Sequence, residues 1–178
     1  MREQSNILIV DDDDTVRVSY RRSLEAANCN VEATTNGKGA LEALARNRFD
    51  VVLLDLRMPG MDGLSVLKAI KGTWPKSEVV VITGYPTVES AKEAVRLGAY
   101  DYLAKPVGPA EVIEAASGAM AQKKWALRKD LAGADADAAT CRMETRSELA
   151  RLGERGCQSQ SDERNQRRGE TACLPAQR

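Results

Sequence analysis

Four short apolar runs in this chain each end at, or just before, residues that can bind a phosphoryl group or a metal ion. These residues are Asp11 and Asp12 after residues 7–10, Asp55 after residues 51–54, Thr83 after residues 79–82, and Lys105 just after residues 100–103. If the runs are strands of an open parallel sheet, their carboxyl ends meet at one edge, where ligands bind. Residues spread over about a hundred positions would then form one site.

The three aspartates predict a magnesium site. Asp11, Asp12 and Asp55 would repel one another at close range unless a cation balanced their charge. Mg²⁺ takes such ligands, namely one or two carboxylates, a carbonyl, waters and phosphate oxygens. The alternative is that these aspartates only cap the helices that follow. Capping would suit Asp13 or Asp14 better than Asp55, which precedes a turn at residues 56–60 rather than a helix start.

The same residues could carry out phosphoryl transfer. A carboxylate can act as a nucleophile and form an aspartyl-phosphate, and Asp55 is the best placed to do so. The hydroxyl of Thr83 and the ammonium of Lys105 could contact the phosphoryl oxygens. Pro106 follows Lys105, and a cis peptide bond there would turn the chain tightly and direct the ammonium inward.

The elements that must position these residues follow from periodicity. Strand-like runs lie near residues 6–10, 30–34, 50–54, 78–82 and 100–103, and helical spacing occurs at 15–27, 39–46, 63–71 and 88–97, with a fifth helix starting at Pro109. Strands that alternate with helices favour parallel pairing with right-handed crossovers. The sequence therefore predicts an α/β fold of five βα units with helices on both faces.

Composition excludes several classes of function. The 178 residues carry 26 basic and 26 acidic side chains, so no overall field favours nucleic acid or a membrane. No apolar run approaches the roughly 20 residues of a membrane span, and the amino terminus does not resemble a signal peptide, which predicts a cytoplasmic protein. The absence of histidine excludes a histidine phosphocarrier and a Ser-His-Asp hydrolase. The roles of Cys141, Cys157 and Cys173 stay open.

Residues 125–178 differ in composition from residues 1–124. They contain no Val, Ile, Phe or Tyr, and so few core-forming residues cannot offset the entropy cost of ordering the chain. We expect one domain over residues 1–124, followed by a helix extension and a disordered tail. Composition of this kind would also fit a truncated or frameshifted gene.

The motifs ILIVDDDD, VVLLDLRMPGMDG, VVVITGY and GAYDYLAKP resemble the receiver domain of bacterial two-component response regulators. The resemblance covers about residues 5–124 and implies a flavodoxin-like doubly wound sheet of strand order 2-1-3-4-5. It implies the following roles: Asp55 as phosphoacceptor; Asp11, Asp12, Asp55 and the Arg57 backbone carbonyl as metal ligands; Thr83 and Lys105 as phosphate-sensing groups; and Thr83 with Tyr102 as the conformational switch.

The resemblance also implies partners. A sensor histidine kinase or a phosphotransfer protein would supply the phosphoryl group from a phosphohistidine. In this family the face built from residues 87–97, 100–103 and 109–124 commonly forms dimers, which makes a homodimer a candidate assembly. Arg57 and Tyr85 are bulky and flank the site, so we expect them to shield an acyl phosphate from water.

Other functions remain open at this point. Asp11-x-Asp13-x-Thr15 also matches the signature of haloacid dehalogenase-like phosphatases. That hypothesis leaves Asp55 unexplained. We therefore expect a protein that is not an enzyme. The output is either that of a stand-alone receiver acting through protein contacts, or that of a DNA-binding transcriptional regulator whose output domain is truncated or lost. Residues 84–107 resemble receivers of the nitrogen-regulation type. No phosphate-binding loop or helix-turn-helix is visible after residue 124, so direct contact with nucleic acid is not expected.

Overall fold

The computed structural model describes residues 4–129 and contains a five-stranded parallel sheet. The strands are β1 (Asn6–Val10), β2 (Asn30–Thr34), β3 (Val51–Leu54), β4 (Glu78–Thr83) and β5 (Asp101–Ala104). Their spatial order is β2-β1-β3-β4-β5, and every neighbouring pair is parallel. This order confirms the predicted doubly wound architecture. It also brings the carboxyl ends of β1, β3, β4 and β5 to adjacent positions along one edge.

Five helices connect and cover the strands. Their bounds are α1 (Asp14–Ala26), α2 (Gly37–Arg46), α3 (Gly63–Thr73), α4 (Val88–Arg96) and a fifth, α5, over residues 109–129. Each predicted boundary lies within a few residues of the observed one. Asp13 caps α1 by accepting hydrogen bonds from the backbone N–H groups of Thr15 and Val16, as the capping interpretation expects.

Alternate strand residues point to opposite faces of the sheet and build two separate cores. On one face, strand side chains such as Leu8, Val52 and Val81 pack with residues of α2, α3 and α4. On the other face, Ile9 and Val80 pack with residues of α1 and α5. Because the central strands are apolar on both faces, the sheet is buried between helical layers, as parallel sheets require.

The compact unit that contains the sheet ends at Leu127. Residues 130–178 lie outside the described residues, so the predicted disordered tail and the division of the chain at residue 124 stay predictions. Within residues 4–129, no helix combines the length and the apolar character that crossing a bilayer requires.

Candidate functional site

Three of the predicted residues meet in one ion-pair network at the carboxyl edge of the sheet. Asp11 follows β1, Asp55 follows β3, and Lys105 follows β5. The Lys105 Nζ donates hydrogen bonds to Asp11 Oδ2 and to Asp55 Oδ2, both at 2.6 Å. Residues 50 and 94 positions from Lys105 in the chain therefore share one ammonium group.

Burial strengthens the electrostatic interaction between Lys105 and the two carboxylates. Asp11 and Asp55 are only 3% and 5% exposed. Burial lowers the pKa of the Lys105 ammonium, but its hydrogen bonds to the two carboxylates outweigh that effect and leave the pKa raised. Lys105 therefore stays cationic beside the carboxylates. The Lys105–Pro106 peptide bond is cis, as the sequence predicts.

Asp11 is held by its backbone surroundings as well as by Lys105. Its Oδ1 accepts a hydrogen bond from the Asp13 N–H at 3.0 Å, and its carbonyl accepts one from Arg17 Nη1 at 2.7 Å. Burial raises the pKa of the Asp11 carboxyl, although its hydrogen bond from Lys105 acts in the opposite direction. An additional cation at this point would favour the ionised form.

Asp12 completes a carboxylate cluster suited to a hard cation. Asp11, Asp12 and Asp55 each offer one oxygen, and these oxygens all lie within 4.8 Å of one another. When the three carboxylates are ionised, the single ammonium of Lys105 leaves two negative charges unbalanced. Because Mg²⁺ is a divalent cation that binds oxygen ligands, the donor set fits it in chemistry and in charge.

The turn after Asp55 fixes the orientation of that carboxylate. The Arg57 N–H donates to Asp55 Oδ1 at 3.0 Å, while Lys105 bonds to the other oxygen, Oδ2. Gly63 lies against this turn, since a Cβ atom added at Gly63 would come within 2.6 Å of the Asp55 carbonyl oxygen. That close approach explains the glycine at this position. The role of the Arg57 carbonyl as a metal ligand stays a prediction.

Thr83 ends β4 and is fully buried. Its Oγ1 accepts a hydrogen bond from the Tyr85 N–H at 3.3 Å. In this arrangement the predicted switch hydroxyl is held by its own loop. A rotation of Thr83 toward another acceptor would release the Tyr85 N–H.

Arg57 and Tyr85, which the sequence places on either side of the site, contact each other directly. The Arg57 guanidinium carbon lies 4.9 Å from the centroid of the Tyr85 ring, within the range of a cation–π interaction. The stack joins the loop after β3 to the loop after β4. The Tyr85 side chain is otherwise open to solvent, with 67% of its surface exposed.

Tyr102 lies on β5 and contacts α4. It packs partly buried against the core on the α2–α4 face. Its hydroxyl and the Ser90 hydroxyl are 2.7 Å apart, a hydrogen bond in which either group can donate. Tyr102 is thus connected to the first turn of α4.

Two residues that contact the site were not predicted from the sequence. Arg17 supports the Asp11 carbonyl, and its only sequence signal is its place one turn into the helix after the acidic run. Ser90 is signalled weakly by Thr87-Val88-Glu89-Ser90, a variant of the Ser/Thr-x-x-Glu capping box. Asp13, by contrast, caps α1 and is not part of the carboxylate cluster found among the described residues. That position gives no support to the phosphatase signature.

Comparisons with known proteins agree with this geometry. Residues 7–117 match the family model of the response regulator receiver domain. The DNA-binding transcriptional regulator NtrC of Escherichia coli K12 is 43% identical over 100 residues, which cover 56% of this chain and 21% of that protein. The chain therefore spans about a fifth of the length of this curated relative.

Two solved structures are similar in fold. A CheY-like receiver domain protein from Methanospirillum hungatei JF-1 superposes with a TM-score of 0.67 at 27% identity, over 68% of this chain and 98% of that one. NtrX from Brucella abortus gives a TM-score of 0.67 at 30% identity, over 74% of this chain and 29% of that one. One neighbour is thus matched almost throughout and the other over less than a third of its length.

Proposed function

The chain belongs to the response regulator receiver family of two-component systems, and we propose that it accepts a phosphoryl group on Asp55 from the phosphohistidine of a sensor kinase or a phosphotransfer protein. The supporting observation is the environment of Asp55. One of its oxygens is bonded to Lys105 and the other to the Arg57 N–H, and two further carboxylates lie alongside. An ammonium and a divalent cation at the same carboxylate would attract the phosphoryl group to it.

Asp11, Asp12 and Asp55 would hold Mg²⁺ in this proposal, together with the Arg57 carbonyl. When bound, the ion would neutralise charge on the phosphoryl oxygens and on the carboxylates. The observation that favours it is the charge surplus of the cluster, which Lys105 alone does not balance.

The chain's own residues then carry the transfer and its consequence. A carboxylate oxygen of Asp55 attacks the phosphorus atom as the bond from phosphorus to the donor histidine nitrogen breaks. Lys105 exchanges its bond to Asp55 for one to a phosphoryl oxygen. Thr83 turns its hydroxyl toward the phosphoryl group, and Tyr102 moves into the space that Thr83 leaves. One local charge change thereby shifts the population between two conformations.

The output of this switch has two candidates. One is a stand-alone receiver that signals through protein contacts, including a homodimer on the face of residues 87–97, 100–103 and 109–124. The other is the receiver of a DNA-binding transcriptional regulator, which the match to a relative named as such favours. In either case we expect the chain to relay a signal in the cytoplasm rather than turn over a substrate, and we expect the receiver domain itself to make no direct contact with DNA.

Phosphorylation assays on matched variants test the proposal. With Mg²⁺ present, a phosphorylated kinase or a small acyl phosphate donor should label the wild-type chain but not Asp55→Asn. Asp62→Asn is the control, because Asp62 caps α3 outside the carboxylate cluster, and it should be labelled at the wild-type rate. Persistent labelling of Asp55→Asn, or labelling that does not need Mg²⁺, would overturn the assignment.

A further inference from the structure

The hydroxyl of Ser90 has more hydrogen-bonding neighbours than it can satisfy at once. Ser90 is the third residue of α4, and it forms a capping box with Thr87. Its Oγ lies 3.2 Å from the Thr87 N, 3.0 Å from Thr87 Oγ1 and 3.1 Å from the Thr87 carbonyl oxygen. The fourth neighbour is the Tyr102 hydroxyl at 2.7 Å, the shortest of the four contacts.

The inventory of donors and acceptors shows that these contacts compete. A serine hydroxyl has one proton to donate and two lone pairs to accept with, so it makes at most three of the four bonds at a time. The Thr87 N–H has to use one lone pair because it is only a donor. One lone pair and the proton remain for the Thr87 and Tyr102 hydroxyls, while the Thr87 carbonyl oxygen accepts instead from the Ala91 N–H at 3.0 Å. If Tyr102 leaves, Ser90 keeps its contacts with Thr87, and the cap of α4 survives.

The loop between β4 and α4 is therefore held at both ends by hydroxyl groups. At its start, Thr83 Oγ1 accepts from the Tyr85 N–H. At its end, Ser90 bonds to Tyr102, which lies on β5 next to β4. A turn of the Thr83 hydroxyl toward a phosphoryl group would release the first of these contacts, and a movement of Tyr102 would break the second.

From this arrangement we infer that Ser90 is a positioning residue of the switch, which holds Tyr102 against the first turn of α4 until Thr83 turns toward the phosphoryl group. The inference rests on the proposed function, since it needs a phosphoryl group at Asp55. Because Ser90 keeps its contacts with Thr87, breaking the Ser90–Tyr102 bond leaves the capping box of α4 intact. One hydrogen bond at Ser90 then biases the choice between the two conformations.

This population ratio can be measured through the affinity for beryllofluoride, a phosphoryl mimic, with Mg²⁺ present. Removing a contact that exists only in the conformation with Ser90 bonded to Tyr102 raises the population of the other conformation, and apparent affinity for the mimic rises with it. We expect Ser90→Ala and Tyr102→Phe each to bind about two- to tenfold more tightly than wild type, the range for one hydrogen bond. The double variant should gain no more than either single variant, and Ser90→Thr should bind like wild type.

A matched control separates this effect from helix capping. Ser65 is the third residue of α3 and its hydroxyl lies 3.4 Å from the capping Asp62 side chain, so Ser65→Ala removes a similar capping group and should leave the affinity unchanged. Should Ser90→Ala fold poorly, Tyr102→Phe still tests the inference, since it leaves the capping box intact.

The outcomes distinguish this inference from the proposed function. A wild-type chain that fails to bind beryllofluoride with Mg²⁺, or an Asp55→Asn variant that binds it equally well, contradicts the phosphorylation site itself. If wild type binds and Asp55→Asn does not, but Ser90→Ala and Tyr102→Phe bind no more tightly than wild type, only the role of Ser90 is wrong. Additive gains in the double variant would likewise show that the two hydroxyls do not act through one shared bond.

Discussion

The two edges of the sheet each contain a lysine bonded to an aspartate at 2.6 Å, yet their charge balance differs. At the carboxyl edge, Lys105 bonds to Asp11 and Asp55. At the amino edge, Lys123 of α5 bonds to Asp50, which precedes β3. The distances alone would assign both edges the same role.

The surroundings of each pair separate them. Asp50 also accepts the backbone N–H of Asn6 at 2.8 Å, so one carboxylate and one ammonium form a balanced pair that joins α5 to β1 and β3. At the carboxyl edge a second and a third carboxylate crowd the single ammonium. A balanced pair stabilises the fold without a further ligand. A cluster with surplus negative charge favours the binding of a cation.

The largest expected difference concerns the two lysines. Lys105→Met should lower the free energy of unfolding by about 3 kcal/mol, because it leaves buried carboxylates without their ammonium. Lys123→Met, which keeps the same apolar stem, should cost only about 1 kcal/mol, since its aspartate is more exposed. Urea denaturation with and without Mg²⁺ measures both. Measured against wild type under the same conditions, Mg²⁺ should narrow the stability deficit of Lys105→Met and leave that of Lys123→Met unchanged. Equal narrowing in both would contradict the distinction.

Removing a carboxylate should change the midpoint of thermal unfolding in opposite directions at the two edges. Asp12→Asn relieves repulsion in the cluster and should raise the midpoint of thermal unfolding by about 2 °C without metal, while Asp50→Asn loses a bonded partner and should lower it by about 4 °C. The rise that Mg²⁺ produces in wild type should shrink in Asp12→Asn and persist in Asp50→Asn. A metal-free Asp12→Asn variant less stable than wild type would show that the cluster carries no surplus repulsion.

The smallest expected effect concerns the stack of Arg57 on Tyr85. Exchange of both Arg57 and Tyr85 for alanine removes their cation–π stack, and should speed the loss of phosphate from the labelled chain by about two- to fivefold. The decay of radiolabel after removal of the donor gives the rate. Exchange of the exposed Val95 of α4 for alanine is a control away from the stack, and it should not alter the rate. Equal decay in wild type and the double variant would show that the stack does not shield the phosphate.

The fold and the positions of the strand ends could be predicted from the sequence because they depend on residue class. Short apolar runs such as residues 51–54 and 79–82, alternating with segments of helical period, are typical of the central strands of a covered sheet. Once the strands are parallel, the polar residues after them must share an edge. For this reason Asp11, Asp55 and Lys105 could be grouped before any distance was known.

Contacts between particular side chains could not be predicted in the same way. Asp50 and Lys123 are 73 positions apart, and nothing in the periodicity of either segment indicates their bond. Ser90 and Tyr102 meet because of their side-chain directions at the start of α4 and in the middle of β5. Periodicity assigns a residue to a face, but the partner it meets there depends on rotamers and on how the helix packs.

Chemical mapping of the phosphoryl group tests the central claim most directly. The chain is phosphorylated with Mg²⁺ present, reduced with borohydride, which converts an aspartyl-phosphate to homoserine, and digested for mass spectrometry. The proposed role of Asp55 as phosphoacceptor predicts homoserine at position 55 and unmodified aspartate at positions 11, 12 and 50. Homoserine at position 11 or 12, with Asp55 unmodified, would contradict the account.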